Sequence, residues 1–135
     1  MAIFPNPDNN IDVGIDSGKT VLIVDNQPRE AMALQKQLAF AGFKTEIATT
    51  GEGAVKILEE HPPDIVLLEA SLSDIDSSEV VTFIRSDVRT CRIPVLAISV
   101  FPHMKGRCLQ SGCDDFLQKP IKILDLVARI RKALR

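Results

Sequence analysis

The sequence predicts one α/β domain, a single doubly wound, five-stranded parallel sheet with helices on both faces. Three observations carry this. TVLIVD, DIVLLE and PVLAIS are short apolar runs with the length and composition of strands buried on both faces. Segments with apolar residues at helical spacing separate them, so strand and helix alternate about five times along the chain. Crossovers between parallel strands are right-handed, and a connected series of them covers both faces of the sheet.

Residues 1–18 are rich in Asn, Asp, Pro and Gly with no apolar period, and are expected to form a flexible arm ahead of a domain over 19–135. The first strand is Thr20 to Asp25. Asn26-Gln27-Pro28 turns the chain, and Pro28 suits the first turn of a helix running to Ala41, where Ala31, Leu34, Leu38 and Ala41 keep helical spacing and Gly42 stops it. Lys44 to Ala48 alternates as a short strand. Thr49 or Thr50 can cap the next helix, whose inner face is expected at Ala54, Val55, Ile57 and Leu58 before His61-Pro62-Pro63 ends it. The strand Asp64 to Glu69 follows, then a polar loop from Ala70 to Ser77 and a helix carrying Val80, Val81, Phe83 and Ile84. Pro94 to Ser99 is the fourth strand. Phe101 to Gly112 is weakly helical, since Gly106 costs about 1 kcal/mol relative to Ala. A brief strand at Asp115 to Gln118 and a helix from Ile121 to Leu134, with Ile121, Leu124, Val127, Ala128 and Ile130 as its apolar stripe, complete the series.

The 135 residues suffice for one core and one site, and 45% hydrophobic with 25% charged residues is ordinary for a globular domain. No apolar run approaches the roughly 18 residues of a membrane span, and no secretory signal pattern opens the chain, so no membrane partner and a cytoplasmic setting are expected. A formal charge of −2 gives no field for nucleic acid, and Arg129, Arg131, Lys132 and Arg135 read as a solvated helix face that complements the dipole. Cys91, Cys108 and Cys113 lack metal-ligand or disulfide spacing and read as small hydrophobes.

The chemistry is expected where the strands end. In an open α/β sheet the carboxyl ends of the strands border a crevice. Asp25, Glu69 and Ser99 end three strands there, and Lys119-Pro120 follows the fifth. Two carboxylates, a hydroxyl and an ammonium in one crevice suit a divalent cation and a phosphoryl group, because hard oxygens hold Mg²⁺ and the lysine offsets phosphoryl charge. The alternative is a Glu69–Lys119 salt bridge with Asp25 and Ser99 as strand caps.

In VLIVDN, DIVLLEASLSDIDSSEV, IPVLAIS and GCDDFLQKPI, in that order, the chain resembles the receiver (CheY-like) domain of two-component response regulators, from about Lys19 to Arg135. The resemblance implies a flavodoxin-like fold and a site where an aspartate takes phosphate from a histidine kinase with Mg²⁺ bound. It also implies a hydroxyl and an aromatic residue that switch together, here Ser99 and Phe116, and a phosphate-sensing lysine, Lys119. The acceptor position falls on Glu69. Its acidic-pair partner falls on Asn26, leaving Asp25 and Glu69 as the only metal-equivalent carboxylates, a weak or absent Mg²⁺ site. Glutamate's extra methylene misplaces its carboxylate for attack, where a shift of about 1 Å matters. Ser73 and Ser77 replace the family's usual proline and glycine in the following loop. The segment between Ser99 and Lys119 is shorter than usual, which casts doubt on a fourth helix.

These departures point to an atypical receiver, not an enzyme, with no cofactor or weakly bound Mg²⁺. Glu69 either imitates a phosphorylated aspartate, drawing Ser99 inward, or marks a retired site in a protein-interaction module. The partner would be a histidine kinase or a downstream effector, with a homodimer through the last helix left open. Alternatives are a phosphorylatable receiver, including one with its acceptor at Asp74 or Asp76, which more readily cap the helix near Ser77. A metal-dependent phosphatase-like enzyme would want a second acid near Asp25, and a Rossmann nucleotide site would want glycines where Asn-Gln-Pro stands. No output domain is expected after Arg135, so the chain reads as free-standing or as cut from a longer protein.

Overall fold

The computed structural model describes residues 18–135, so the expected arm lies outside the described residues apart from Gly18. Eleven elements follow one another: β1 (Thr20–Val24), α1 (Pro28–Phe40), β2 (Lys44–Ala48), α2 (Gly51–Glu60), β3 (Ile65–Glu69), α3 (Ser77–Ser86), β4 (Val95–Ser99), a 3₁₀ turn (Pro102–Met104), α4 (Lys105–Ser111), β5 (Asp115–Gln118) and α5 (Ile123–Leu134). The strands form one sheet in the order β2-β1-β3-β4-β5, every pair parallel. The order reverses at β1, and β1 and β3 lie side by side at the switch point where such sheets gather ligands.

Strand side chains alternate between two cores. Leu22, Val24, Val66, Leu68, Val95, Ala97 and Phe116 meet α2, α3 and α4 on one face. Val21, Ile23, Ile65, Leu67, Leu96, Ile98 and Leu117 meet α1 and α5 on the other. This parity carries past the strand ends. It directs Asp25, Glu69 and Lys119 towards the α1/α5 side and Ser99 towards α4.

Three expectations about helix extent and burial need correction. The last helix begins at Ile123, not Ile121, and its buried stripe is Leu126, Val127 and Ile130; Leu124 is 47% exposed and Ala128 is exposed too. Ile123, Leu126, Val127, Ile130 and Leu134 follow the i, i+3, i+4 spacing of one helical face, a wider apolar stripe than the one through Leu124. In α2 the inner face narrows to Ala54 and Leu58, with Val55 and Ile57 half-buried. The fourth helix does form, as seven residues closed by Gly112 at φ 113°. There the Gly112 and Cys113 amides satisfy the last carbonyls of α4, a closure that requires the left-handed backbone glycine adopts freely. Cys108 and Cys113 are buried and Cys91 half-buried, as expected of small hydrophobes.

The loop after β3 is held by two acids. Asp76 caps α3: its carboxylate accepts from the Ser78 amide at 3.0 Å, and Glu79 reaches back to the Asp76 amide at 3.2 Å. Asp74 caps a different helix, accepting from Gly51 N at 2.9 Å and Glu52 N at 3.0 Å at the start of α2. Those backbone hydrogen bonds hold the Asp74 carboxyl below the usual carboxylate range. Replacing Asp76 by Ala is expected to remove the side-chain half of the α3 capping box, leaving the Glu79 contact to the backbone amide, and to cost about 1 kcal/mol, read by urea denaturation. An unchanged midpoint would show that the cap is dispensable.

Candidate functional site

Asp25 stands directly after β1, Glu69 ends β3, and Lys119 follows β5. Two strand spacings, roughly 10 Å, separate β3 from β5, so only a long side chain can join them. Lys119 lies over β4 and places Nζ 2.6 Å from Glu69 Oε1 and 3.6 Å from Asp25 Oδ2. A third carboxylate, Glu30 in the first turn of α1, lies 3.3 Å away. Sequence reasoning missed Glu30, although its signal was present: an acid in the first turn of a helix that leaves the end of β1 starts beside the crevice.

The cluster is shielded from solvent. The side chains of Asp25, Glu69 and Lys119 are 9%, 10% and 13% exposed, whereas Glu30 reaches out at 46%. Asp25 Oδ1 accepts from the Gln27 amide at 2.9 Å, and Glu69 Oε2 accepts from the Ser71 amide at 3.3 Å. Asn26 is half-buried beside them. Burial pulls the Lys119 ammonium pKa down, but its hydrogen bond to Glu69 and the charges of Glu69 and Asp25, with Glu30 behind them, outweigh that and leave it raised. A raised lysine contributes stability that is complete below its unfolded pKa of about 10.4 and is lost as pH climbs through the folded value. Unfolding free energy is therefore expected to hold from neutral pH to about 10 and to fall above it. Replacing Lys119 by Met should remove its share of that alkaline fall, which a series of urea titrations would read.

Ser99 does not join this cluster. It is fully buried, its Oγ accepts from the Phe101 amide at 2.9 Å, and the hydroxyl points to Met104 Sδ at 3.7 Å. Ser71 Oγ reaches the same sulfur at 3.7 Å, so Met104 bridges the loops after β3 and β4. Phe116 is buried in the core under α4. The structure thus brings Asp25, Glu69 and Lys119 together and leaves Ser99 and Phe116 on the opposite face. Among the described residues, no three His, Cys, Asp or Glu side chains gather closely enough to hold a metal ion.

The response regulator receiver domain model matches residues 21–131. The chain belongs to that family. Receiver domains are signalling modules that meet histidine kinases and effector domains. This receiver is 34% identical over 115 residues to the transcriptional regulatory protein KdpE of Mycobacterium tuberculosis, an overlap of 85% of this chain and 50% of that one. The chain spans about half the length of the curated relatives it matches first. Among solved structures it is similar to the signal receiver domain of a signal transduction histidine kinase from Syntrophus aciditrophicus, with a TM-score of 0.80 and 27% identity, covering 87% of this chain and 90% of that one. The receiver domain of the sensor histidine kinase PA1611 from Pseudomonas aeruginosa shares the fold at a TM-score of 0.81 and 24% identity, over 87% and 98% of the two chains. That protein carries a magnesium ion coordinated in its active-site cleft.

No helix among the described residues of this receiver is long and apolar enough to cross a membrane. Of the basic residues near its C-terminus, Arg129 is committed to Asp115 at 2.9 Å and Asp125 at 3.1 Å and Arg131 is half-buried, so the expected solvated face narrows to Lys132 and Arg135.

Proposed function

We propose that this receiver is an atypical, phosphorylation-independent interaction module of two-component signalling, without enzymatic activity of its own. The carrying observation is the 2.6 Å contact between Glu69 and Lys119. It engages the phosphate-sensing amine with a fixed carboxylate at the acceptor position. The Ser99 hydroxyl turns to Phe101 and Met104, so Glu69 does not draw the switch residue inward as a phosphoryl group would. That favours a retired site over phosphate imitation, and buried Phe116 suits a domain held in one state.

Mg²⁺, when bound to a receiver, supplies charge that offsets the phosphoryl oxygens. Here Asp25 and Glu69 would be its ligands, with Asn26 contributing only a neutral oxygen. The Lys119 ammonium already lies among the same carboxylates, so the residues suit a weak Mg²⁺ site or none. Use of Asp74 or Asp76 as acceptor is disfavoured because both cap helices. The partner is a histidine kinase or a downstream effector in the cytoplasm.

The test is intact-mass spectrometry after incubation with a small-molecule phosphodonor and Mg²⁺. The expected mass is that of the unmodified chain. A stable phospho-adduct mapped to Glu69 would overturn the proposal and favour the phosphorylatable alternative.

A further inference from the structure

We infer that Cys108 and Cys113 form a dithiol that a low-molecular-weight disulfide oxidises to an intramolecular bridge, locking the end of α4 to the chain entering β5. The closure of α4 brings the two together. The Cys113 amide donates to the Cys108 carbonyl at 3.1 Å and the Gly112 amide to the Leu109 carbonyl at 3.2 Å, with Gly112 at φ 113°. These are the two bonds of a Schellman closure, in which the side chains at the ends of the longer loop ordinarily meet as an apolar contact. Here both of those side chains are thiols. Because the hydrogen bond joins the two residues' own backbones, standard bond lengths hold their Cα atoms roughly 6 Å apart, within the about 4.4–6.8 Å that a disulfide spans. Both belong to the core under α4 and line the same cavity of only about 30 Å³. Neither lies in the carboxylate cluster, so the inference holds whether or not Glu69 accepts phosphate.

The turn between the thiols is fixed, and the helix before it is loosely held. Arg85 of α3 donates to the Gly112 carbonyl through Nε at 3.2 Å and Nη2 at 2.9 Å, and a Cβ on Gly112 would meet Val81 Cγ1 at 3.1 Å, so the chain leaves α4 by one path. In contrast, α4 has seven residues, no side-chain cap at its start, and Gly106 inside it with open space around its Cα. A short, uncapped helix with an interior glycine opens locally at low cost. While closed, it leaves the thiols 6% and 8% exposed, and burial raises the pKa of both, Cys113 to about 11. Buried, protonated thiols are inert, so oxidation waits on the opening of α4. Once exposed, the Cys108 thiolate attacks one sulfur of the small disulfide and releases the other as a thiol; Cys113 then attacks Cys108 in the mixed disulfide and expels the second thiol. Two protons and two electrons pass from the protein to the reagent, which is reduced to two thiols. The bridge then holds α4 over Phe116.

The experiment incubates the full chain with oxidised glutathione under native conditions, then unfolds it, alkylates free thiols with iodoacetamide and digests it with trypsin. The peptide that begins at Cys108 contains both thiols and is expected unalkylated and lighter by two hydrogens, with Cys91 outside the bridge. Amide hydrogen exchange through α4 should slow at least about tenfold against the reduced chain, because the bridge removes the opening that exchange requires. Dithiothreitol should restore it. Cys113→Ala, which keeps the apolar contact, should stop the reaction at glutathione on Cys108 and leave α4 exchanging as in the reduced chain, whereas Cys91→Ser should change neither result. A bridge that includes Cys91, a Cys108–Cys113 bridge that forms only in urea, both thiols still free after prolonged exposure, or a bridged chain whose α4 exchanges no more slowly would each overturn the inference.

Discussion

Replacing Lys119 by Met should lower the unfolding free energy by about 3 kcal/mol, among the largest effects of any single substitution in the site. Methionine keeps most of the aliphatic length, so the loss is one of charge and hydrogen bonding. It would leave Asp25 and Glu69, each about nine-tenths buried, beside Glu30 with no cation between them. Removing one partner of a buried ion pair costs about 3–5 kcal/mol because the other charge stays desolvated; partial solvent access through Glu30 places this case at the low end. For a domain of this size the thermal midpoint would fall by roughly 10 °C. The double variant Lys119→Met/Glu69→Gln should recover more than half of the loss, since the two residues act as a unit. A single-variant cost under about 1 kcal/mol, or no recovery in the double variant, would mean that the 2.6 Å pair does not organise the site.

The double variant Glu69→Asp/Asn26→Asp should acquire the phosphoryl acceptance that the proposed function denies the native chain. Shortening residue 69 by a methylene withdraws the carboxylate by about 1 Å from its contact with Lys119 and opens the space an incoming phosphoryl group needs. Aspartate at position 26 adds the anion that a hard-cation site depends on. An adduct that accumulates with phosphodonor and Mg²⁺, and is abolished by chelation, is the expected outcome by intact mass. Glu69→Asp alone should give much less. If the double variant stays unmodified, the obstacle lies elsewhere, foremost in the loop through Ser73 and Ser77. There the Ser77 hydroxyl is tied to the Ala70 carbonyl at 2.9 Å and Asp74 is tied to α2.

Much of this architecture was legible in the residues. Apolar runs of strand length ending in Asp25, Glu69 and Ser99 determined a buried parallel sheet with its chemistry at the carboxyl edge, because a strand covered on both faces must be apolar throughout. The same pattern put Lys119 within reach of Glu69. Local signals also narrowed the caps where both partners lie within one turn, to Thr49 or Thr50 for α2 and Asp74 or Asp76 for α3, of which Thr50 and Asp76 take the role.

Other features were decided only by the packed structure. Asp74 looked like a cap for α3 and instead caps α2, since the loop after β3 folds back across 22 to 23 residues of chain to reach it. Leu124 and Leu126 are equally apolar in the sequence, and only the docking of α5 against β4 and β5 decided which is buried. Glu30 entered the site because α1 starts at the crevice. Ser99 left it because side chains alternate along β4 and that strand's register fixes which face each one takes. A single chain carries the residue types and their local spacing, but which charge meets which across the sheet depends on strand order and parity, and those are settled only when the layers pack.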